Sequence, residues 1–106
     1  MDQLRDLQEW FESVCDGDWE HTFGITIQTL DNPGWAVDVD LMDTSLGQID
    51  FIPTQVERTE QDWLLCKVEN GKFIGRGGPA NLIEILGVFT TWAKKQGAGL
   101  SATAGR

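Results

Sequence analysis

The sequence of 106 residues predicts an α+β fold, in which an antiparallel sheet of about five strands carries an N-terminal and a C-terminal helix on one face. Three observations lead to this prediction. Apolar residues recur with a helical period near both ends, they alternate with polar residues in between, and turn-forming residues separate the alternating segments. Such strands have one covered and one wet face, so both helices are expected on the covered face.

The first helix is predicted at the start of the chain. Asp2 is expected to cap it, because its carboxylate can accept a hydrogen bond from a backbone N–H group of the first turn. Gly17 is expected to end the helix in a left-handed conformation. The apolar face consists of Leu4, Leu7, Trp10, Phe11 and Val14.

The first hairpin follows, beginning at Phe23. Residues 31–34 read Asp-Asn-Pro-Gly, a turn in which Pro33 is expected at the second position and Gly34, with a positive φ, at the third. The flanking segments alternate with the two-residue period of half-buried strands. Their apolar face comprises Phe23, Ile25, Ile27, Trp35, Val37, Val39 and Leu41.

The remaining strands are less regular. Residues 48–56 predict a third strand at an edge or with a bulge, because Pro53 cannot donate a hydrogen bond to a neighbour. Residues 63–68 predict a fourth strand, and the Asn-Gly pair at 70–71 predicts a tight hairpin to a short fifth strand that begins at Phe73.

The second helix is predicted after a tight loop over residues 76–79, with Pro79 at its first position. Gly97 is expected to end it, so the domain spans residues 1–97, and residues 98–106 are predicted to form a disordered tail. The apolar face consists of Leu82, Ile85, Leu86, Phe89, Trp92 and Ala93.

Charge limits the partners. The net charge of −9 disfavours nucleic acid and anionic membranes as partners, because a protein needs a basic surface to bind either of them. The first residues lack the basic and apolar stretches of a signal peptide, and only two cysteines occur. These features predict a cytoplasmic protein with reduced thiols, although a disulfide between Cys15 and Cys66 stays open at this point.

The densest polar cluster is Cys15–His21, between the first helix and the first strand. One hypothesis is a metal site or a small hydrolase formed by its acidic and imidazole groups, but the run lacks the glycine and ligand spacing of a calcium loop. A second is a solvated loop with capping carboxylates and a partly buried Trp19, and a third is a partner-binding loop. The candidate metal ligands are Asp16, Asp18, Glu20 and His21.

Catalysis has little support in the sequence. The single His offers only Cys15 or Cys66 as a nucleophile to activate, and no third group is evident that would orient it. The glycine-rich run at 75–79 lacks the Lys-Ser/Thr of a phosphate-binding loop. We therefore predict a protein that is not an enzyme and that needs no cofactor.

The polar face of the first hairpin is the other candidate site. Asp38 and Asp40 share this face with Thr26 and Gln28, and Asp31 lies in the turn. An open acidic face fits a basic protein partner, because complementary charge accelerates association. The alternatives are that the acidic charge serves solubility, or that the domain is an interaction module of a larger assembly.

The chain also resembles the immunity protein 53 family of bacterial polymorphic toxin systems. The resemblance extends from about Leu4 to Trp92, and the tail from Ala98 has no counterpart in the family. It rests on residues 15–21, 24–27 and 29–35, and on the later Trp63, residues 66–69, 71–73 and 77–79.

The resemblance implies a cytoplasmic antidote that binds and blocks a cognate toxin domain without catalysis of its own; in such systems the toxin is commonly a nuclease. Combined with the charge pattern, it predicts a basic toxin domain as partner. A homodimer through the edge strand near Pro53 stays open. The predicted binding residues are Asp16, Asp18, Trp19, Glu20, His21, Asp31, Asn32, Asp38 and Asp40.

Overall fold

A computed structural model describes residues 2–96 and confirms the α+β class, with a five-stranded antiparallel sheet and a helix at each end of the chain. The strands lie in the order β1-β2-β5-β4-β3. The elements are α1 (Gln3–Val14), α2 (Trp19–Thr22), β1 (Ile25–Leu30), β2 (Gly34–Asp40), β3 (Thr54–Glu57), β4 (Trp63–Glu69), β5 (Lys72–Gly77) and α3 (Leu82–Lys95).

Helix α1 begins as predicted and ends earlier. The Oδ1 atom of Asp2 accepts a hydrogen bond from the backbone N–H of Arg5 at 3.0 Å, which confirms the predicted cap. The helix ends at Val14, and Cys15 is already extended. Gly17 has the expected positive φ of 97°, but it lies in the connection to α2, a short helix that the sequence analysis missed.

The β1–β2 hairpin has the predicted strands and a different turn. Asp31 to Pro33 form the turn, with a cis peptide bond before Pro33. The predicted left-handed Gly34 is wrong, since Gly34 is the first residue of β2 and pairs with Leu30. Glycine is needed at position 34 because a Cβ atom there would collide with the carbonyl oxygen of Gly77 in β5.

The predicted third strand is mostly irregular chain. Residues 41–53 form turns and loops, in which Leu46 is buried and Phe51 is half-buried. Strand β3 occupies only Thr54–Glu57, immediately after Pro53. It pairs on one side with β4 and forms one edge of the sheet, as the proline indicated.

Strand β5 is longer than predicted and is the centre of the sheet. Asn70 and Gly71 form the expected tight turn, with φ values of 54° and 75°. The predicted loop at 76–79 is wrong in part, because Arg76 and Gly77 continue the strand and pair with β2 and β4. A Cβ atom on Gly75 would collide with the side chain of Ile85, so glycine lets α3 approach the sheet closely.

Helix α3 begins at Leu82 and not at Pro79, and Asn81 precedes it. Asn81 is buried; its Oδ1 atom accepts a hydrogen bond from the backbone N–H of Trp63 at 3.3 Å, and its Nδ2 atom donates to Asp62 at 3.0 Å. The amide group therefore joins the start of α3 to the start of β4. The predicted helix end at Gly97 and the predicted tail lie outside the described residues.

Aromatic rings form the middle of the core and unite the helices with the sheet. The ring of Phe89 in α3 lies 5.0 Å from that of Trp10 in α1 and 5.1 Å from that of Phe73 in β5. All three side chains are fully buried. Both helices therefore cover the same sheet face, as the sequence predicts. No helix within residues 2–96 has the length and apolar composition needed to cross a membrane.

Replacement of Phe89 tests this arrangement. Phe89→Ala should lower the free energy of unfolding by about 3–5 kcal/mol, because it removes a fully buried ring between three elements. Ile83→Ala on the same helix is the control, since this side chain is 65% exposed, and it should change the stability by less than about 0.5 kcal/mol. Urea unfolding followed by tryptophan fluorescence measures both, and similar losses would contradict the described core.

Candidate functional site

Residues 16–21, here called the acidic segment, are held by reciprocal hydrogen bonds. The Oδ1 atom of Asp16 accepts hydrogen bonds from the backbone N–H groups of Asp18 at 2.9 Å and Trp19 at 3.0 Å. The carboxylate of Glu20 in return accepts hydrogen bonds from the backbone N–H groups of Asp16 at 3.1 Å and Gly17 at 2.9 Å. The arrangement is similar to a capping box, so two predicted binding residues also shape the local backbone.

These hydrogen bonds affect the ionisable groups nearby. The backbone N–H groups of Trp19 and Asp18 stabilise the ionised carboxylate and hold the pKa of Asp16 below its usual range. The opposite occurs at Cys15, where desolvation, followed by the negative charges of Glu20, Asp16 and Glu12, raises the pKa of the thiol. Three carboxylates therefore converge around Cys15.

Trp19 anchors the acidic segment to the core. Its side chain is 3% exposed, and its Nε1 atom donates a hydrogen bond to the carbonyl oxygen of Met42 at 2.9 Å. Its ring packs against Trp10, Phe11 and Phe23. The structure thus places this predicted binding residue inside the protein, where it holds its exposed acidic neighbours in position.

The metal hypothesis gains no support from the geometry. Across residues 2–96, no three His, Cys, Asp or Glu side chains are arranged so that they could hold a metal ion together. The carboxylates of Asp16 and Glu20 accept hydrogen bonds from backbone N–H groups, while Asp18 and His21 are exposed. The acidic segment is therefore a structured surface loop and not a preformed ligand cage.

The turn of the first hairpin brings the other predicted residues to the surface. Asp31 and Asn32 are both exposed, immediately beyond the end of β1. The acidic segment lies just before the start of the same strand. The two predicted patches therefore lie at opposite ends of β1, whose six residues span roughly 20 Å.

Asp38 and Asp40 lie on the open face of the sheet, as predicted, but the expectation of an acidic face there is wrong. Asp38 forms a salt bridge with Arg76 at 2.9 Å, and Asp40 forms one with Lys72 at 3.2 Å. Both cations belong to β5, next to β2. The sequence placed Arg76 in a loop and did not predict that β5 lies beside β2, so these positive charges were not expected next to the aspartates.

Negative charge is concentrated elsewhere. No Lys or Arg occurs between Asp6 and Glu57, a stretch that contains twelve acidic residues. Six of these acidic residues lie between Asp6 and Asp38. None of the six forms a salt bridge with a Lys or Arg in the part of the chain that the structure describes. These side chains are Glu9, Glu12, Asp16, Asp18, Glu20 and Asp31.

An apolar groove that no sequence pattern predicted lies close to the acidic segment. Residues of α1 and of the chain around the start of β1 enclose a groove of about 500 Å³. Leu4 is 65% exposed although it belongs to the predicted apolar face, and Ile27 of β1 is 39% exposed. The helical period assigned Leu4 to the apolar face, but it could not show that this side chain stays largely uncovered.

Comparison with known protein families identifies a match over most of the chain. A family model described as Immunity protein 53 matches residues 4–94, which is nearly the whole chain. No curated protein and no solved structure matches the sequence.

Substitution of Asp16 tests the reciprocal hydrogen bonds. Asp16→Ala should accelerate hydrogen exchange at the Trp19 amide by about five- to tenfold, because the acceptor at 3.0 Å is lost. Asp18→Ala is the matched control, since the Asp18 side chain makes no capping hydrogen bond. Equal acceleration in both variants would contradict the assigned role of Asp16.

The pH dependence provides a second readout for the same variant. The pKa of Asp16 is lowered in the folded protein, so its contribution to stability is complete above the unfolded pKa and disappears as the pH falls through the folded pKa. The unfolding midpoints of wild type and Asp16→Ala should therefore differ at neutral pH and converge once the pH has fallen below the folded-state pKa of Asp16. A difference that persists there would assign the effect to packing.

Proposed function

The chain belongs to the immunity protein 53 family, and from this premise we propose that it neutralises a cognate toxin domain by binding it, with no chemistry of its own. The family supplies the toxin-neutralising role. The observation that supports the mode of action is the distribution of charge, because the unpaired carboxylates of the described residues are concentrated in the first part of the chain.

We propose that the binding surface comprises the exposed members of the two patches at the ends of β1. Asp18 and His21 project from the acidic segment, and Asp31 and Asn32 lie in the turn. Asp16 and Glu20 contribute negative charge while they hold the loop. Asp38 and Asp40 are secondary, because Arg76 and Lys72 already neutralise them.

Such an acidic surface is complementary to a basic partner. Complementary fields raise association rates by about 10- to 1,000-fold, and close charge pairs at an interface couple by roughly 1.5–7 kcal/mol. A toxin with a basic groove for phosphates, such as a nuclease, fulfils this requirement. The carboxylates would then compete with the substrate for the same cations.

Co-expression tests the function directly. Bacteria that express the cognate toxin domain, sought as the carboxyl-terminal domain of a large protein encoded beside this gene, should lose viability, and expression of the present protein should restore growth. The purified pair should elute as one complex in size-exclusion chromatography. Undiminished killing in the presence of the folded protein would overturn the proposed function.

Charge reversal tests the surface. Asp18→Lys with Asp31→Lys should slow association with the toxin domain by about tenfold or more at low salt, because both carboxylates are exposed and lack ion-pair partners among residues 2–96. Stopped-flow fluorescence measures the rate.

Glu57→Lys with Glu60→Lys is the matched control for this experiment. It changes the net charge equally, but it alters the opposite edge of the sheet, at and beyond β3. If both pairs slow association to the same extent, the total charge and not the two patches governs the encounter.

A further inference from the structure

Strand β1 has one unpaired edge. It is the first strand in the sheet order, and within residues 2–96 only β2 pairs with it. An unpaired strand edge presents a row of backbone N–H and C=O groups that can bond to another extended chain. This edge connects the two patches of the proposed binding surface, since the acidic segment precedes β1 and Asp31 follows it.

The register identifies the outward groups. The backbone N–H of Asp40 donates to the carbonyl oxygen of Gly24 at 3.0 Å, so this pair belongs to the hydrogen-bonded set. Residues of antiparallel strands alternate between hydrogen-bonded and non-hydrogen-bonded pairs. The backbone groups of Ile25, Ile27 and Thr29 therefore point away from β2.

Nothing in the sequence of β1 protects this edge. Proteins usually protect edge strands with charges, prolines, bulges or short lengths. The opposite edge follows this rule, because β3 has four residues, follows Pro53 and ends at Glu57. In contrast, β1 has six residues, Ile-Thr-Ile-Gln-Thr-Leu, without proline or charge and in unbroken register with β2.

The apolar groove lies beside the start of the same edge. Leu4, Leu7 and Phe11 of α1 line it together with Phe23 and Ile25. Ile25, Ile27 and Thr29 lie on the sheet face that the helices cover, because their partners across the hairpin are Val39, Val37 and Trp35. A chain added at this edge would therefore direct alternate side chains to the helix-covered face, and into the groove where it passes Ile25.

Charge selects the occupant. Phe11 and Phe23 line the groove, and their rings pack against Trp19 of the acidic segment. Unpaired carboxylates thus flank the edge at its start and, through Asp31, at its end. A second copy would bring like charges together across the new pairing, since each chain carries −9, whereas a basic segment would gain attraction at both ends.

We infer that the toxin domain supplies an extended basic segment that pairs with the outer edge of β1, places alternate apolar side chains in the groove beside α1, and directs its cationic residues to the flanking carboxylates. This inference rests on the proposed function and specifies the contact through which it operates.

Hydrogen exchange measured on the complex with the cognate toxin domain tests the pairing. In the free protein, the amides of Ile25, Ile27 and Thr29 should exchange quickly, while those of Thr26 and Gln28, which face β2, should be protected. In the complex, the three outward amides should slow by about 100-fold or more, as in a central strand.

Paired substitutions test the groove. Leu4→Gln in the groove with Ile27→Gln on the adjoining helix-covered face of β1 should accelerate dissociation of the complex by about tenfold or more, because the added segment would bury both side chains, which are 65% and 39% exposed in the free protein. Ile52→Gln with Ile83→Gln is the control, since these residues are 85% and 65% exposed on the other side of the helical layer, and it should leave dissociation unchanged within about twofold.

The outcomes separate the inference from the proposed function. A tight complex in which the three outward amides exchange as fast as before would overturn the inference and leave the proposed function intact. Slow exchange of these amides in the free monomer would overturn it as well, because another part of this chain would already cover the edge. Concentration-dependent protection without toxin would assign the edge to a second copy. Failure of the toxin to bind would overturn both proposals.

Discussion

The burial of the ring of Phe89 is the contact on which the other features depend. This ring packs against Trp10 of α1 and Phe73 of β5, so a single side chain fixes both helices on the sheet. Trp10 in turn packs edge-to-face against Trp19, and the centres of the two rings lie 6.0 Å apart. The aromatic contacts thus extend from the centre of the core to the acidic segment, and the segment's position follows from core packing.

The sequence predicted what local periodicity can reveal. The apolar stripe of α3, the cap at Asp2 and the turn at Asn70 were confirmed, because each depends on residues close together in the chain. Strand β5 was missed in part, since Gly75 and Gly77 are typical of loops. In this fold they are needed because Ile85 of α3 packs directly against them, which is a tertiary requirement.

The same distinction applies to the candidate site. The exposed positions of Asp18 and Asp31 follow from their place in the chain, but the neutralisation of Asp38 depends on the pairing of β2 with β5, which no local pattern determines. Trp19 lies among acidic residues and was predicted as a binding residue or, in the alternative interpretation of this loop, as partly buried. Its burial depends on Trp10 and on the carbonyl of Met42, both distant in sequence. The open edge of β1 likewise follows only from the strand order.

Six of the seven Lys and Arg residues among residues 2–96 follow Glu57, whereas most carboxylates without an ion pair precede it, and this separation bears on how specificity can change. Arg58, Lys67, Lys72 and Arg76 neutralise acids on β2, β4 and the start of α3, whereas Asp18 and Asp31 stabilise nothing through ion pairs among residues 2–96. Replacement of Asp18 or Asp31 by other polar residues therefore costs the fold little. Such a scaffold can acquire a new partner, or exclude a related one, by exchanging a few exposed side chains while its core stays constant.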